Sequence, residues 1–305
     1  MISRRTLLMG LAAFGAGVAS LGGYAVGVEP MRHRVTRDAL TPPGWSAGLK
    51  IRLAVITDLH ACKPWMSEAR IETIVAETNA LSPDVTVLLG DYVAGRRISG
   101  YSNPVEAVHW ARALAGLRAP LGIHAILGNH DWWEDADAQR TRSGPPEAHR
   151  ALLDAGIPVY ENEAQRLVHH GRPFWIMGLG DQWAFFRRRG VRRLPGQPYY
   201  DGRDDLAAAL ARIDDAAPVV CLAHEPDIFP TMPARVSLTL SGHTHGGQVR
   251  VLGYAPFVPS RFGQRYLYGH VVEDGRHLIV SAGLGCSGLP VRFGATPEIV
   301  LVDLG

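Results

Sequence analysis

The sequence predicts an α/β fold, and three observations predict it. From Ile51 onward, short apolar runs bounded by turn residues alternate with segments of helical periodicity, the pattern of βαβ units around a parallel sheet. Hydrophobic residues make up 47% of the 305 positions and charged residues 20%, the balance of a globular chain with a sizeable core. That balance excludes a disordered, collagenous or polytopic membrane protein. No repeat of about 20 to 50 residues recurs, which removes solenoids and propellers.

The elements follow in order. Ser3-Arg4-Arg5-Thr6-Leu7-Leu8 opens a run without charge from Thr6 to Val28. A positive start followed by a moderately apolar stretch reads as an export signal, and the paired arginines resemble the twin-arginine type. Six glycines in that run make it a poor soluble helix. Gly17-Val18-Ala19 and Gly23-Tyr24-Ala25 offer small residues to a peptidase. The run is also close to the roughly 20 residues that span a bilayer. Residues 1–28 are therefore expected to be a twin-arginine-type signal or an N-terminal membrane anchor. Residues 29–49, polar and containing Pro and Gly, are expected to be a linker, and residues 50–305 one domain.

Within that domain, 51–57, 85–89 and 123–127 read as buried strands. Between them, 67–80 reads as a helix capped by Ser67 with Ile71, Ile74 and Val75 on one face, and 104–117 as a second helix. The second half is richer in strands, expected at 174–179, 219–223, 236–240, 249–252, 277–281 and 298–302, with a helix at 204–213. Cys62, Cys221 and Cys286 are too few and too scattered for a disulfide framework or a cysteine-rich zinc site. Net charge is +2, carried by Arg4 and Arg5 ahead of the first acid, Glu29, so the remainder is neutral. Charge thus gives no argument for nucleic acid.

Several expected strands end in polar knots: Thr57-Asp58-Leu59-His60, Gly90-Asp91-Tyr92 and Gly128-Asn129-His130-Asp131. His224 closes the strand at 219–223, and Ser241-Gly242-His243-Thr244-His245 closes that at 236–240. In open α/β sheets, ligands bind beyond the carboxyl ends of the strands, so these knots point into one crevice. Carboxylates can bridge two cations, imidazoles bind first-row metals, and an asparagine carbonyl fills a hard-oxygen position. Alone, each knot is an ordinary turn. In sequence, all at strand ends, they point to two divalent ions.

The blocks D-x-H, G-D, G-N-H-[DE], a lone H and G-H-x-H resemble those of the calcineurin-like metallophosphoesterases, over nearly all of residues 51–304. Gly242-His243-Thr244-His245-Gly246-Gly247-Gln248 and the tail from Gly283-Leu284-Gly285 through Arg292 to Ile299 resemble the exported branch related to YkuE and YaeI. The resemblance implies a four-layer α/β/β/α sandwich of two mixed sheets flanked by helices. It also implies that Asp58, His60 and His245 hold one ion, that Asn129, His224 and His243 hold the other, and that Asp91 bridges them. His130 would not be a ligand but would face the substrate phosphate and either protonate the leaving group or stabilise charge. Manganese, iron and zinc all suit this set of nitrogen and oxygen donors.

The expected activity is hydrolysis of a phosphate ester, most naturally a diester, by a water activated between two ions, with no covalent intermediate. The alternatives are a UDP-2,3-diacylglucosamine-type glycolipid pyrophosphate hydrolase and a non-catalytic module on the same fold. A zinc peptidase is excluded in its common form, since H-E-x-x-H does not occur. Residues 183–202 combine Trp183, Phe185 and Phe186 with Arg187, Arg188, Arg189, Arg192 and Arg193, a composition that suits an anionic lipid surface. Trp132, Arg187, Arg188 and Arg292 are the candidate substrate contacts. The expected partners are a phosphate ester linked to lipid or cell envelope, the twin-arginine export machinery and a membrane surface. The expected location is the periplasm or cell envelope.

Overall fold

The computed structural model describes residues 3–187 and 200–305. Eleven strands build two mixed sheets: β1 (Arg34–Leu40), β2 (Ile51–Ile56), β3 (Val85–Leu88), β4 (Ile123–Ala125), β5 (Glu163–His169), β6 (Arg172–Gly178), β7 (Val219–Leu222), β8 (Leu238–Ser241), β9 (Gly269–Glu273), β10 (Arg276–Val280) and β11 (Glu298–Leu304). The first sheet has the order β1-β11-β2-β3-β4, and the second β9-β10-β8-β7-β6-β5. In the first, β2, β3 and β4 run parallel, with Leu53 opposite Val85 and Val87 opposite His124. In the second, β6, β7, β8 and β10 run parallel, and antiparallel β5 and β9 close the two edges.

Side-chain alternation sorts the apolar residues into layers. Leu53, Val55, Val87, Val300 and Val302 point inward and meet Ile176, Val220, Leu222, Leu240 and Ile279 of the facing sheet. Ile56, Leu88, Ala125 and Ile299 point outward onto Ile71, Ile74, Trp110, Leu114 and Leu152 of the helices Glu68–Ala80, Ala107–Leu114 and Glu147–Asp154. On the far side, Met177, Val219, Cys221 and Leu278 pack against Ala209, Phe229 and Tyr266. The result is the expected four-layer α/β/β/α sandwich. Cys62, Cys221 and Cys286 are free and buried, as small hydrophobes.

Several expected elements change. Part of the presumed linker is sheet: β1 runs parallel to β11 from Arg34 opposite Glu298 to Leu40 opposite Leu304. Trp45 and Leu49, which follow, are buried in the inter-sheet core. An edge strand with one half-buried face can be mostly polar, so Arg34, Arg37 and Asp38 hid it. Edge strands β5 and β9 escaped for the same reason. Residues 249–252 form isolated bridges rather than a strand. The helix expected at 104–117 is Ala107–Leu114, and that at 204–213 is Leu206–Leu210, where Asp205 accepts from Ala208 N as N-cap.

Ahead of the domain lies the helix Arg4–Gly27, capped by Ser3 and exposed along nearly its whole length. By length and composition it is apolar enough to cross a membrane. Its end is not loose. Ala25, Glu29 and Pro30 are buried against the domain.

Candidate metal centre

The carboxyl ends of β2, β3 and β4 carry Asp58 and His60, Asp91, and Asn129 and His130. The ends of β7 and β8, in the other sheet, carry His224 and His243 with His245. Asp58, His60, Asp91, His243 and His245 all turn off their strands with φ between 45° and 66°. Left-handed backbone at a non-glycine residue costs on the order of 1 kcal/mol and persists where the surroundings enforce it. Here it aims donors back across the strand ends. Two glycines make the approach possible. A Cβ on Gly128 would strike Asp91 Oδ1 and His224, and one on Gly242 would strike Thr57 and Asp58 Oδ2.

The donor atoms form two adjoining groups. Asp58, His60 and His245 converge, as do Asp91, His224 and His243, with ligand atoms in each group within 4.8 Å of one another. Asp91 Oδ2 joins the groups, lying 3.5 Å from His60 Nε2 and 3.3 Å from His224 Nε2. Asp58 Oδ1 is 3.4 Å from His245 Nε2. Each carboxylate is held in place. Asp91 Oδ1 accepts from His130 N at 2.8 Å. Thr57 Oγ1 donates to Asp58 Oδ2 at 2.8 Å, and His243 N lies 3.1 Å from both Asp58 oxygens.

Whether metal ions suit this cluster can be tested on its unpartnered atoms. Asn129 Oδ1 and His243 Nε2 are buried without a hydrogen-bond partner, which is costly unless a ligand satisfies them. His60 Nδ1 lies 3.1 Å from Val93 O and His224 Nδ1 2.6 Å from Leu89 O. At His60, donation to a carbonyl places the proton on Nδ1 and leaves the Nε2 lone pair for a cation. At His224 burial is outweighed by Asp91, which raises the pKa well above the usual imidazole range, so that its Nε2 proton leaves as a cation binds. Burial pushes His60 down to about 3 and holds His243 and His245 well below the usual imidazole range. They are neutral donors. Burial pushes Asp58 up to about 6, against His224. Asp91 also feels burial, but His224 and His130 outweigh it and keep its carboxyl well below the normal range. The set is hard and nitrogenous, without thiolate, and fits first-row divalent cations.

His130 stands at the edge of this cluster, with 15% of its side chain exposed. Its ring centroid is 4.9 Å from that of His60, and its Nε2 lies 3.3 Å from Ser287 Oγ. Its Nδ1 is 3.5 Å from Glu134 Oε1. Burial opposes the imidazolium, but Asp91 and Glu134 outweigh that and raise its pKa above the ordinary value.

The candidate substrate contacts fare differently. Trp132 is 1% exposed, packed against Phe185 with the Arg203 guanidinium over its ring, so it belongs to the core. Its neighbour Trp133 borders the site instead, 5.1 Å from His130 and stacked on Phe186. Arg292 is fully buried and is not presented to a ligand. It donates to the carbonyls of Ala282, Gly285 and Ala295, and its Nη2 lies 3.3 Å from His245 Nδ1. Arg187 is half-buried and pairs with Asp201 at 3.3 Å. Arg188, Arg189, Arg192 and Arg193 lie outside the described residues.

Sequence reading missed two buried groups. Asp131 accepts from the backbone N–H of Gly128, Asp91, Tyr92 and Val93 at 2.9–3.2 Å, and so sets the turn carrying Asp91 against the turn carrying Asn129. Its place as an acid three residues into a helix after Gly128 was the available signal. Asp181 and Glu225 form a buried carboxyl pair beside His224. Burial pushes Glu225 up to about 7, and burial together with Glu225 holds Asp181 well above the usual range.

Residues 51–247 match the family described as calcineurin-like phosphoesterase. The chain is 32% identical over 317 residues to the metallophosphoesterase YkuE of Bacillus subtilis, covering 99% of this chain and 98% of that protein. It is 29% identical over 316 residues to the phosphodiesterase YaeI of Escherichia coli, covering 100% of both. A transmembrane protein with metallophosphoesterase domain from Danio rerio is 27% identical over 260 residues, 83% of this chain and 53% of that protein.

Proposed function

Because the chain belongs to the calcineurin-like phosphoesterase family, we propose that it is a dinuclear metal-dependent phosphodiesterase acting at the outer side of the cytoplasmic membrane. The observation that carries the reading is Asp91 Oδ2, shared at 3.3–3.5 Å between histidines of two separate ligand groups. In this reading Asp58, His60 and His245 would hold one divalent ion and Asn129, His224 and His243 the second, with Asp91 contributing to both sites. Two such ions, when bound, lower the pKa of a water and neutralise charge on the phosphoryl oxygens.

The rest falls to the chain. Neutral His60, His243 and His245 present lone pairs without having to lose protons. Asp131 and Thr57 fix the turns and the Asp58 rotamer, so the donors are set before a ligand arrives. His130, whose imidazole is partly exposed at this edge, has its pKa raised by Asp91 and Glu134 against burial and gives its proton to the departing alkoxide. No serine or cysteine nucleophile is required, and the cysteines are buried. The diester preference is supported by the name of the YaeI relative.

The membrane reading is supported by the helix Arg4–Gly27 with its paired arginines, and by a relative that is named a transmembrane protein. We read the helix as a twin-arginine-type anchor and the chain from β1 at Arg34 onward as the catalytic domain. Turnover of bis-p-nitrophenyl phosphate by the purified chain loaded with manganese tests the function, with Asp91→Asn as the control that abolishes it. Absence of turnover, or turnover untouched by that change, overturns the reading. A panel comparing monoesters, diesters and pyrophosphate-linked glycolipids separates a diesterase from a UDP-2,3-diacylglucosamine-type hydrolase.

A further inference from the structure

Apolar side chains left in water are unevenly placed on the domain. Val251, Leu252, Tyr254 and Phe257 are all exposed within one short loop, and Leu289 is exposed beside it. Val251 and Tyr254 pair across a tight turn whose central residues, Leu252 and Gly253, have φ of 52° and 86°. Positive φ at both positions is the backbone of a primed hairpin turn, where Asn-Gly is the favoured pair. A leucine there is strained, and this one is fully exposed. Neither local propensity nor packing in the folded domain explains it. Strain of that kind is kept at functional positions, and clustered exposed apolar groups mark interaction surfaces.

The loop is tied to both the helix and the metal centre. Val249 bridges Phe293, and Gln248 Nε2 donates to Ser287 O and Leu289 O at 3.1 and 3.0 Å. From the same segment Arg292 N donates to Ala25 O at 2.9 Å, so the last turn of the apolar helix is bound to it. Trp65 Nε1 donates to Val26 O at 2.9 Å, and Ala295 N to the buried Glu29 at 3.1 Å. These contacts fix where the helix leaves the domain. Ser287, at the start of the segment, is the residue whose hydroxyl lies beside His130.

We propose that the tip of this loop, Leu252 with Val251, Tyr254 and Phe257, together with Leu289, seats in the headgroup–acyl boundary of the bilayer that the helix Arg4–Gly27 enters. The opening of the metal centre beside Ser287 and His130 then lies against the lipid surface, and the substrate is a phosphate ester carried by a membrane lipid. The proposal rests on the reading of the helix as a retained anchor. Continuity selects lipid over a second protein as the occupant, because one segment joins the apolar tip to the end of the only membrane-length helix among the described residues. A tip of aromatic and aliphatic residues suits that depth.

The buried native cysteines leave introduced ones free for selective labelling. Leu252→Cys and Phe257→Cys, each carrying an environment-sensitive fluorophore, are compared with Val168→Cys. Val168 is exposed on β5 opposite Pro173, at the amino end of the second sheet and away from the ligands. The full chain is reconstituted in vesicles of phosphatidylcholine and phosphatidylglycerol containing lipids with a quencher near the headgroup. Probes at 252 and 257 are expected to shift to the blue and to be quenched at least roughly twofold more than the probe at 168. Equal quenching at the three positions, with the chain still bound after a carbonate wash, overturns the proposal and leaves the anchor standing. Loss of the full chain in the wash overturns the anchor, and the proposal with it. Turnover of bis-p-nitrophenyl phosphate by the labelled chains reads the catalytic assignment separately.

Discussion

Asp91 carries more of this site than any other side chain, because one oxygen is spent on the backbone and the other faces both ligand groups. Its Oδ1 is fixed by His130 N, and its Oδ2 lies between His60 and His224. Asp91→Asn keeps the shape and removes the charge, so metal analysis should find both ions weakened and turnover reduced by roughly 100-fold or more. Asp58→Asn should empty mainly the first position and His224→Ala mainly the second. If Asp91→Asn retained two ions with full turnover, the bridging role would be wrong. Asp131 touches no candidate ion yet serves four backbone N–H groups. Asp131→Ala would leave those donors unsatisfied, at about 1–3 kcal/mol for each one that stays buried and unpaired. A lower melting temperature and metal affinity weakened by about 10–100-fold are expected together. A variant with normal stability and normal affinity would show that the turns hold themselves.

Among the elements, legibility followed burial. β2, β3 and β7 are buried along nearly their whole length, and their apolar runs stand out in the sequence. The ligand knots stood out because each follows such a run directly. β1, β5 and β9 are half-exposed edges whose polar residues read as loop. Trp132 and Trp133 were indistinguishable by position, since only packing against Phe185 and Arg203 decides which one faces the core. Arg292 misled because a buried guanidinium that satisfies three carbonyls has no signature apart from its charge. The strand inside the presumed linker makes a prediction of its own. A chain starting at Lys50 loses β1 together with buried Trp45 and Leu49, whereas one starting at Val28 keeps them. Removing a large buried side chain costs about 3–5 kcal/mol, so the shorter chain should melt well below the longer one or fail to fold. Equal melting curves would return residues 34–49 to the status of a linker.

At the scale of the whole molecule, the candidate metal centre is a joint between the two sheets. Asp58, His60, Asp91 and Asn129 come from strands of the first sheet, and His224, His243 and His245 from strands of the second. The inter-sheet core holds the sheets together along their length, while at the carboxyl ends buried polar donors face one another across the gap. Ions bound there satisfy those donors and are available only to the folded chain, so binding should add to stability by linkage. With free ion at about 100 times the dissociation constant the addition is about 2.7 kcal/mol per site. For a domain of this size that corresponds to a rise in melting temperature on the order of 5–10 °C. Scanning calorimetry of the manganese-loaded chain before and after a chelator should therefore show a clear drop, restored by adding the ion back. Asp91→Asn should begin near the lower temperature and respond little to the chelator. A wild-type chain whose melting temperature ignored both chelator and ion would show that the two sheets meet here without metal, and the joint would have to be assigned to cross-sheet hydrogen bonds such as His243 N to Asp58 and His224 Nδ1 to Leu89 O.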